Sequence, residues 1–114
     1  MNRPEQKIRL EIRKFLKDVG FSVWDLEQNR KTRQTPGFSD LVAFGHGLIL
    51  FIEVKTETGK LSEYQEVFAY EVRANGGTFL LWRDVREAWD YLAGLGIIKE
   101  SAQQDRCATG TGIV

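Results

Sequence analysis

The chain has 114 residues, a formal net charge of zero, a hydrophobic fraction of 42% and a single cysteine, Cys107. This length can form one domain with its own core and no disulfide, and the zero net charge excludes a strongly basic nucleic-acid-binding surface spread over the whole molecule. No apolar run approaches the roughly 20 residues of a membrane span, and no signal-peptide pattern opens the chain. We therefore expect a cytoplasmic protein with no membrane contact.

Residues 4 to 19 predict the first helix. Pro4 and Glu5 occupy favoured first-turn positions, and Gly20 follows the expected end. Glu5 falls on the apolar stripe of this helix, and Glu11 lies at its flank. A carboxylate on a core-facing stripe has two explanations: the helix dipole favours it there, or it serves a site. The stripe consists of Ile8, Ile12, Phe15, Leu16 and Val19.

Residues 21 to 26 predict a short strand that is rich in aromatic and β-branched residues. We expect its Trp24 in the core rather than as a platform for base stacking. A polar segment, residues 28 to 35, follows. Over residues 1 to 35, Lys and Arg outnumber Asp and Glu. This segment is either a phosphate-binding loop or a solvated one. Its basic residues are Arg30, Lys31 and Arg33.

Two apolar stretches, Leu41–Phe44 and Leu48–Val54, joined by Gly-His-Gly, predict a β-hairpin. With a two-residue turn, counting outward from it places Asp40 opposite Glu53. Lys55 then shares their face because strand side chains alternate. A three-residue turn or a bulge would shift this register by one.

Two carboxylates and an ammonium would thus meet at one end of an apolar sheet. Adjacent carboxylates repel and are costly to bury, and a divalent cation removes both penalties. An all-oxygen site suits Mg²⁺ or Mn²⁺, and the lysine could orient a water or stabilise charge on a phosphate. The alternative is a plain ion-pair cluster. His46, at the far end of the hairpin, is predicted to be a turn residue only.

Ser62 and Gln65 form a capping-box pattern at the start of a helix that runs to Ala74. Residues 78 to 82 predict a strand and residues 84 to 95 a final helix.

The order αβββαβα predicts an α/β fold with a mixed sheet, helices on both faces and the last strand parallel to a neighbour. We assign residues 1–98 to one domain and residues 99–114 to a poorly ordered C-terminal tail.

The hairpin carries a family resemblance. Gly37-Phe-Ser-Asp40, then Phe51-Ile-Glu-Val-Lys and Gly-Lys-Leu-Ser-Glu-Tyr-Gln65, resemble the VRR-NUC (virus-type replication-repair nuclease) branch of the PD-(D/E)xK nucleases. The resemblance extends over roughly residues 4 to 92. Ser39 stands where the superfamily pattern has proline, at a position that shapes the bend before the aspartate. The resemblance implies the PD-(D/E)xK fold.

The resemblance also implies a set of site residues. Its metal ligands for Mg²⁺ or Mn²⁺ are Asp40, Glu53, Glu5 and the backbone carbonyl of Val54. Lys55 and Gln65 would hold the attacking water or a phosphate oxygen. Glu11 is the alternative to Glu5, helix capping is the alternative role of Gln65, and Lys60 is a candidate phosphate contact.

The activity implied is that of a metal-dependent DNA endonuclease, encoded by a bacterium or a phage. Stand-alone VRR-NUC domains are similar to Holliday-junction resolvases, so we expect a homodimer that acts on branched DNA. The sequence does not show which surface pairs, and the final helix and the tail after Leu95 are two candidates. Two alternatives stay open. One is a non-catalytic nucleic-acid-binding module with the same fold. The other is a restriction-type or RNA nuclease, although so short a chain leaves little room for a target-recognition domain.

Overall fold

The computed structural model describes residues 4–26 and 39–99. The predicted order αβββαβα is confirmed, and the observed ends differ from the predicted ones by one residue at most. In the described residues no helix is long and apolar enough to cross a membrane. The elements are α1 (Pro4–Asp18), β1 (Ser22–Asp25), β2 (Leu41–Gly45), β3 (Leu48–Val54), α2 (Glu63–Ala74), β4 (Thr78–Trp82) and α3 (Val85–Gly94).

The four strands form one mixed sheet in the order β1-β2-β3-β4. Strands β1, β2 and β3 pair antiparallel, and β4 lies parallel to β3. Since α2 carries the chain across between β3 and β4, this parallel pairing is the expected result of a helical crossover. The predicted mixed sheet is therefore confirmed.

The β2–β3 hairpin has the predicted two-residue turn. His46 and Gly47 both have positive φ, 53° and 80°, as a type I′ turn requires. Gly45 consequently pairs with Leu48, which is the predicted register. The His46 ring is bound at this end of the hairpin, because its Nε2 lies 2.7 Å from the carbonyl oxygen of Val19. The prediction that His46 is a turn residue is confirmed.

Helices cover both faces of the sheet. Helices α1 and α3 pack on the face that carries Leu50, Ile52 and Val54, and this side holds the main core. Helix α2 packs on the opposite face. The buried apolar core residues are Ile12, Leu16, Phe21, Leu41, Ala43, Leu50, Ile52, Val54, Trp82, Ala88 and Leu92.

The prediction that Trp24 lies in the core was wrong, because its side chain is 59% exposed. Register places Trp24, Val42, Phe51 and Phe79 in one row across the sheet. Phe68 of α2 packs edge-on against Phe51 and Phe79, with ring centroids 5.6 and 5.9 Å away. Helix α2 thus covers the β3–β4 half of the row, and Trp24 on β1 is left at the uncovered end.

Candidate active site

Asp40 and Glu53 lie together at the end of the hairpin opposite the turn. Asp40 directly precedes β2, and its Oδ2 accepts a hydrogen bond from the backbone N–H of Val54 at 3.0 Å. Its own N–H donates to the carbonyl of Ile52 at 3.1 Å. Asp40 is 4% exposed and Glu53 1% exposed. The hairpin therefore holds two carboxylates side by side and almost fully out of solvent.

A third carboxylate reaches the same point from α1. Glu5, in the first helical turn, is half-buried, and Glu5, Asp40 and Glu53 each offer an oxygen within 4.8 Å of the other two. We call these three residues the acidic triad. Two ligands on opposite sides of one Mg²⁺ lie roughly 4.2 Å apart, so small side-chain movements would bring all three onto one ion. Glu11 is exposed and stands outside this group.

The two carboxylate oxygens of Glu53 have different surroundings. Oε2 accepts a hydrogen bond from Nε2 of Gln65 at 2.8 Å and lies 3.6 Å from Nζ of Lys55. Oε1 is buried, and no donor in residues 4–26 or 39–99 reaches it. A buried acceptor left without a partner costs on the order of 1–3 kcal/mol, so this oxygen is a strong candidate for a cation ligand.

Glu53 is also electrostatically strained. Burial, with the neighbouring charge of Asp40, raises the pKa of Glu53 from 4.5 to about 8, and Glu5 adds to the increase. The ammonium of Lys55 acts in the opposite direction but does not cancel the effect. Without further positive charge, Glu53 is therefore protonated at neutral pH. A divalent cation would supply that charge, and it would displace the proton.

Gln65 caps its own helix, and its side-chain amide also contacts Glu53, while its role in holding the attacking water or a phosphate oxygen stays a prediction. The predicted capping box is confirmed: Ser62 Oγ accepts from the backbone N–H of Gln65 at 3.1 Å, and Gln65 Oε1 accepts from the backbone N–H of Ser62 at 2.8 Å. Because Oε1 is bound to the helix start, Nε2 of the same amide is directed at Glu53. The cap of α2 therefore fixes the orientation of a site donor.

The donor set fits Mg²⁺ or Mn²⁺. All three triad side chains offer oxygen, which these hard cations prefer to nitrogen or sulfur. One of these oxygens, Oε1 of Glu53, is buried with no donor from the part of the chain that the structure describes. Val54 lies between Glu53 and Lys55 and contributes its N–H to Asp40. The ligand role of its carbonyl oxygen stays a prediction.

Of the other predicted phosphate contacts, Lys60 alone lies within the described residues. Arg30, Lys31 and Arg33 lie outside the described residues. Lys60 is exposed in the connector between β3 and α2, and its contact with a phosphate stays a prediction.

Sequence reasoning missed Arg83, which organises that connector. Its Nη1 donates to the carbonyl oxygens of Thr56, Glu57 and Gly59 at 2.6, 3.2 and 2.7 Å. One guanidinium thus holds the backbone that leads from Lys55 to the cap of α2. An arginine that directly follows a strand carries no local signal of this role, because its partners lie 24 to 27 residues earlier.

Fold and site together define an α/β domain with three carboxylates and a lysine at one end of a mixed sheet. Comparison with solved structures finds the same fold in a "VRR_NUC domain", with a TM-score of 0.68 and 20% sequence identity. The match covers 82% of this chain and 97% of that one. No protein-family model and no curated protein matches the sequence. The chain thus has the VRR-NUC fold, and the resemblance drawn from its motifs is confirmed at the level of the fold.

Proposed function

We propose that this domain is a Mg²⁺- or Mn²⁺-dependent endonuclease that hydrolyses the phosphodiester bonds of DNA. The observation that carries the proposal is the acidic triad within a VRR-NUC fold, above all the buried Oε1 of Glu53 that has no donor in the described residues. A site built for stability alone would not place two buried carboxylates and a half-buried one beside a lysine, because desolvation penalises each charge.

Each residue has a distinct part in the proposed reaction. Asp40, Glu53, Glu5 and the backbone carbonyl of Val54 would hold the metal, which when bound would lower the pKa of a water and offset charge on the phosphate. Gln65 keeps Glu53 oriented through the 2.8 Å bond from its amide. Lys55, whose side chain is 16% exposed, has its ammonium at the border between the triad and solvent. There it can contact the incoming phosphate and stabilise the negative charge that grows in the transition state.

Replacing Lys55 by methionine tests this assignment. Methionine keeps the aliphatic stem and removes the charge, so we expect metal-dependent cleavage to fall by at least about a hundredfold, with folding and DNA binding retained. The matched control is Lys14→Met, which removes an exposed lysine with a surface partner, Asp18, and should cleave like the wild type. Full cleavage by purified Lys55→Met would refute the assignment.

The proposed substrate is branched DNA and the proposed assembly a homodimer. One site cuts one strand at a time, and a two-fold dimer would hold two sites at a fixed spacing, as symmetric cleavage of a four-way junction requires. This part rests on the family resemblance to VRR-NUC domains. The proposal also includes an origin in a bacterium or phage, with action in the cytoplasm of the cell. The predicted phosphate contacts, Arg30, Lys31, Arg33 and Lys60, belong to the same proposal.

A non-catalytic binding module is the second candidate, and a metal titration separates the two. The enzyme should bind Mn²⁺ at the triad and nick DNA only when Mn²⁺ or Mg²⁺ is present. A module that only binds nucleic acid should do neither. The triad favours the enzyme, since binding a polyanion gains nothing from three clustered carboxylates.

A further inference from the structure

A buried ion pair joins α1 to the end of β1. Nε of Arg9 donates to Oδ2 of Asp25 at 3.3 Å, and Nη1 of Arg13 lies 3.7 Å from the same oxygen. Arg9 is 7% exposed and Asp25 4% exposed. Both therefore occupy positions that an apolar side chain would ordinarily fill.

Stability alone does not account for this pair. Desolvating two charges can cost as much as their attraction returns, and replacing a buried pair by apolar residues of similar volume is often neutral or stabilising. In some proteins a buried pair instead fixes geometry, because its hydrogen bonds form only when the two elements are correctly placed against each other. The question is then what the placement of α1 against β1 determines.

Both ends of the pair adjoin the acidic triad. Arg9 lies four residues after Glu5 on α1, so the two side chains share one helix face. On the strand side, Asp25 pairs with Leu41, the residue after Asp40. The next residue, Leu26, donates its N–H to the carbonyl of Asp40 at 2.8 Å. Arg9 is thus one helical turn from Glu5, and Asp25 is followed by the residue that is hydrogen-bonded to Asp40.

We propose that Arg9 and Asp25 are positioning residues, which fix α1 on the sheet so that Glu5 meets Asp40 and Glu53. Glu5 is the triad member that comes from a different layer of the fold, and its place depends on how the helix is seated rather than on the hairpin. The inference rests on the proposed function, since it assumes that the triad binds a divalent cation.

The test is Mn²⁺ affinity, measured by calorimetry on the purified chain, for Arg9→Met, Glu5→Gln and the double variant. We expect Arg9→Met to weaken Mn²⁺ binding by about tenfold, the lower range for residues that orient metal ligands. Because Arg9 acts through Glu5, the double variant should bind no more weakly than Glu5→Gln alone. An effect of charge alone would change the Mn²⁺ affinity in the opposite direction, because removing the positive charge of Arg9 should strengthen the binding of another cation nearby.

Two further variants complete the design. Lys14→Met removes an exposed positive charge from the same helix and should leave the affinity unchanged or slightly higher. Arg9→Lys, which keeps a charge able to reach Asp25, should restore part of the loss. If Arg9→Met does not fold, as judged by circular dichroism, Asp25→Asn takes its place in the same cycle.

The outcomes separate the inference from the function on which it rests. Unchanged affinity in Arg9→Met, or a loss that adds in full to that of Glu5→Gln, overturns the positioning role while the metal site stands. Wild-type protein that binds no Mn²⁺ overturns the proposed function, and the inference with it. A loss in Arg9→Met that disappears in the Glu5→Gln background is the predicted result.

Discussion

At the scale of single residues, Glu53 is the centre of the account. It receives a hydrogen bond from α2, lies beside the ammonium of Lys55 and has Asp40 and Glu5 as like-charged neighbours. Its raised pKa and its Oε1, which has no hydrogen-bond partner among the described residues, have one origin, the burial of a carboxylate among carboxylates. Both would be relieved by the same divalent cation.

The pKa of Glu53 predicts how the metal-free protein responds to pH. In the unfolded chain Glu53 ionises near 4.5, while in the folded chain it keeps its proton up to about 8. Between these values the unfolded state loses a proton that the folded state retains, so the free energy of unfolding should decrease as pH rises. Urea unfolding in EDTA at pH 5.5 and pH 8 measures this.

Glu53→Gln isolates the contribution of that carboxyl group. This variant should be less sensitive to pH over the same interval, because its amide does not ionise. Adding Mn²⁺ at pH 8 should stabilise the wild type and have little effect on Glu53→Gln. Parallel pH profiles for the two proteins would mean that Glu53 is ionised in the metal-free fold.

At the scale of elements, the capping box of α2 and the hairpin turn could be predicted because their signals are local. Ser62 and Gln65 are three residues apart, and the turn of His46 and Gly47 sets the register that brings Asp40 to Glu53. The exposure of Trp24 could not be predicted in this way. It depends on where α2 comes to rest, and that helix covers only the far half of the sheet.

The cap of α2 predicts a separation between stability and activity. Ser62→Ala removes the bond to the N–H of Gln65 and should cost about 1 kcal/mol of stability. It leaves the backbone N–H of residue 62 to orient the Gln65 amide, so cleavage should persist. Gln65→Ala should cost a similar amount of stability and also reduce cleavage, because Glu53 loses a donor. Thermal unfolding and the cleavage rates of both variants test this prediction. Equal losses of activity in the two variants would contradict it.

At the scale of the whole molecule, the site is assembled from parts that are distant in sequence. Glu5 comes from α1, Asp40 and Glu53 from the hairpin, and Gln65 from α2. The motif of the hairpin and helix start indicated most of this set. The position of Glu5 on the apolar stripe left two explanations open, and the family resemblance favoured the site. The Arg9–Asp25 pair and the carbonyl contacts of Arg83 gave no such signal, because they depend on how separate elements pack.

Substrate choice and assembly are predicted together. Light scattering should give a homodimer with twice the mass of the chain. With Mg²⁺ or Mn²⁺, this dimer should cleave a four-way junction faster than a flap, a linear duplex or a single strand. The physical reason is the fixed spacing of two sites in a two-fold dimer. A strict monomer that cuts junction and linear duplex at equal rates would contradict this prediction.

The central claim is that three carboxylates from separate elements form one metal-dependent nuclease site. The most direct measurement is the rate of Mn²⁺-dependent cleavage of end-labelled DNA by Glu5→Gln, Asp40→Asn and Glu53→Gln, each nearly isosteric with the wild type. The matched control is Asp90→Asn, which changes an exposed carboxylate paired with Arg86 on α3. We predict that all three triad variants fold and lose most of their cleavage while the control retains it. Cleavage at the wild-type rate by Asp40→Asn or Glu53→Gln would contradict the account.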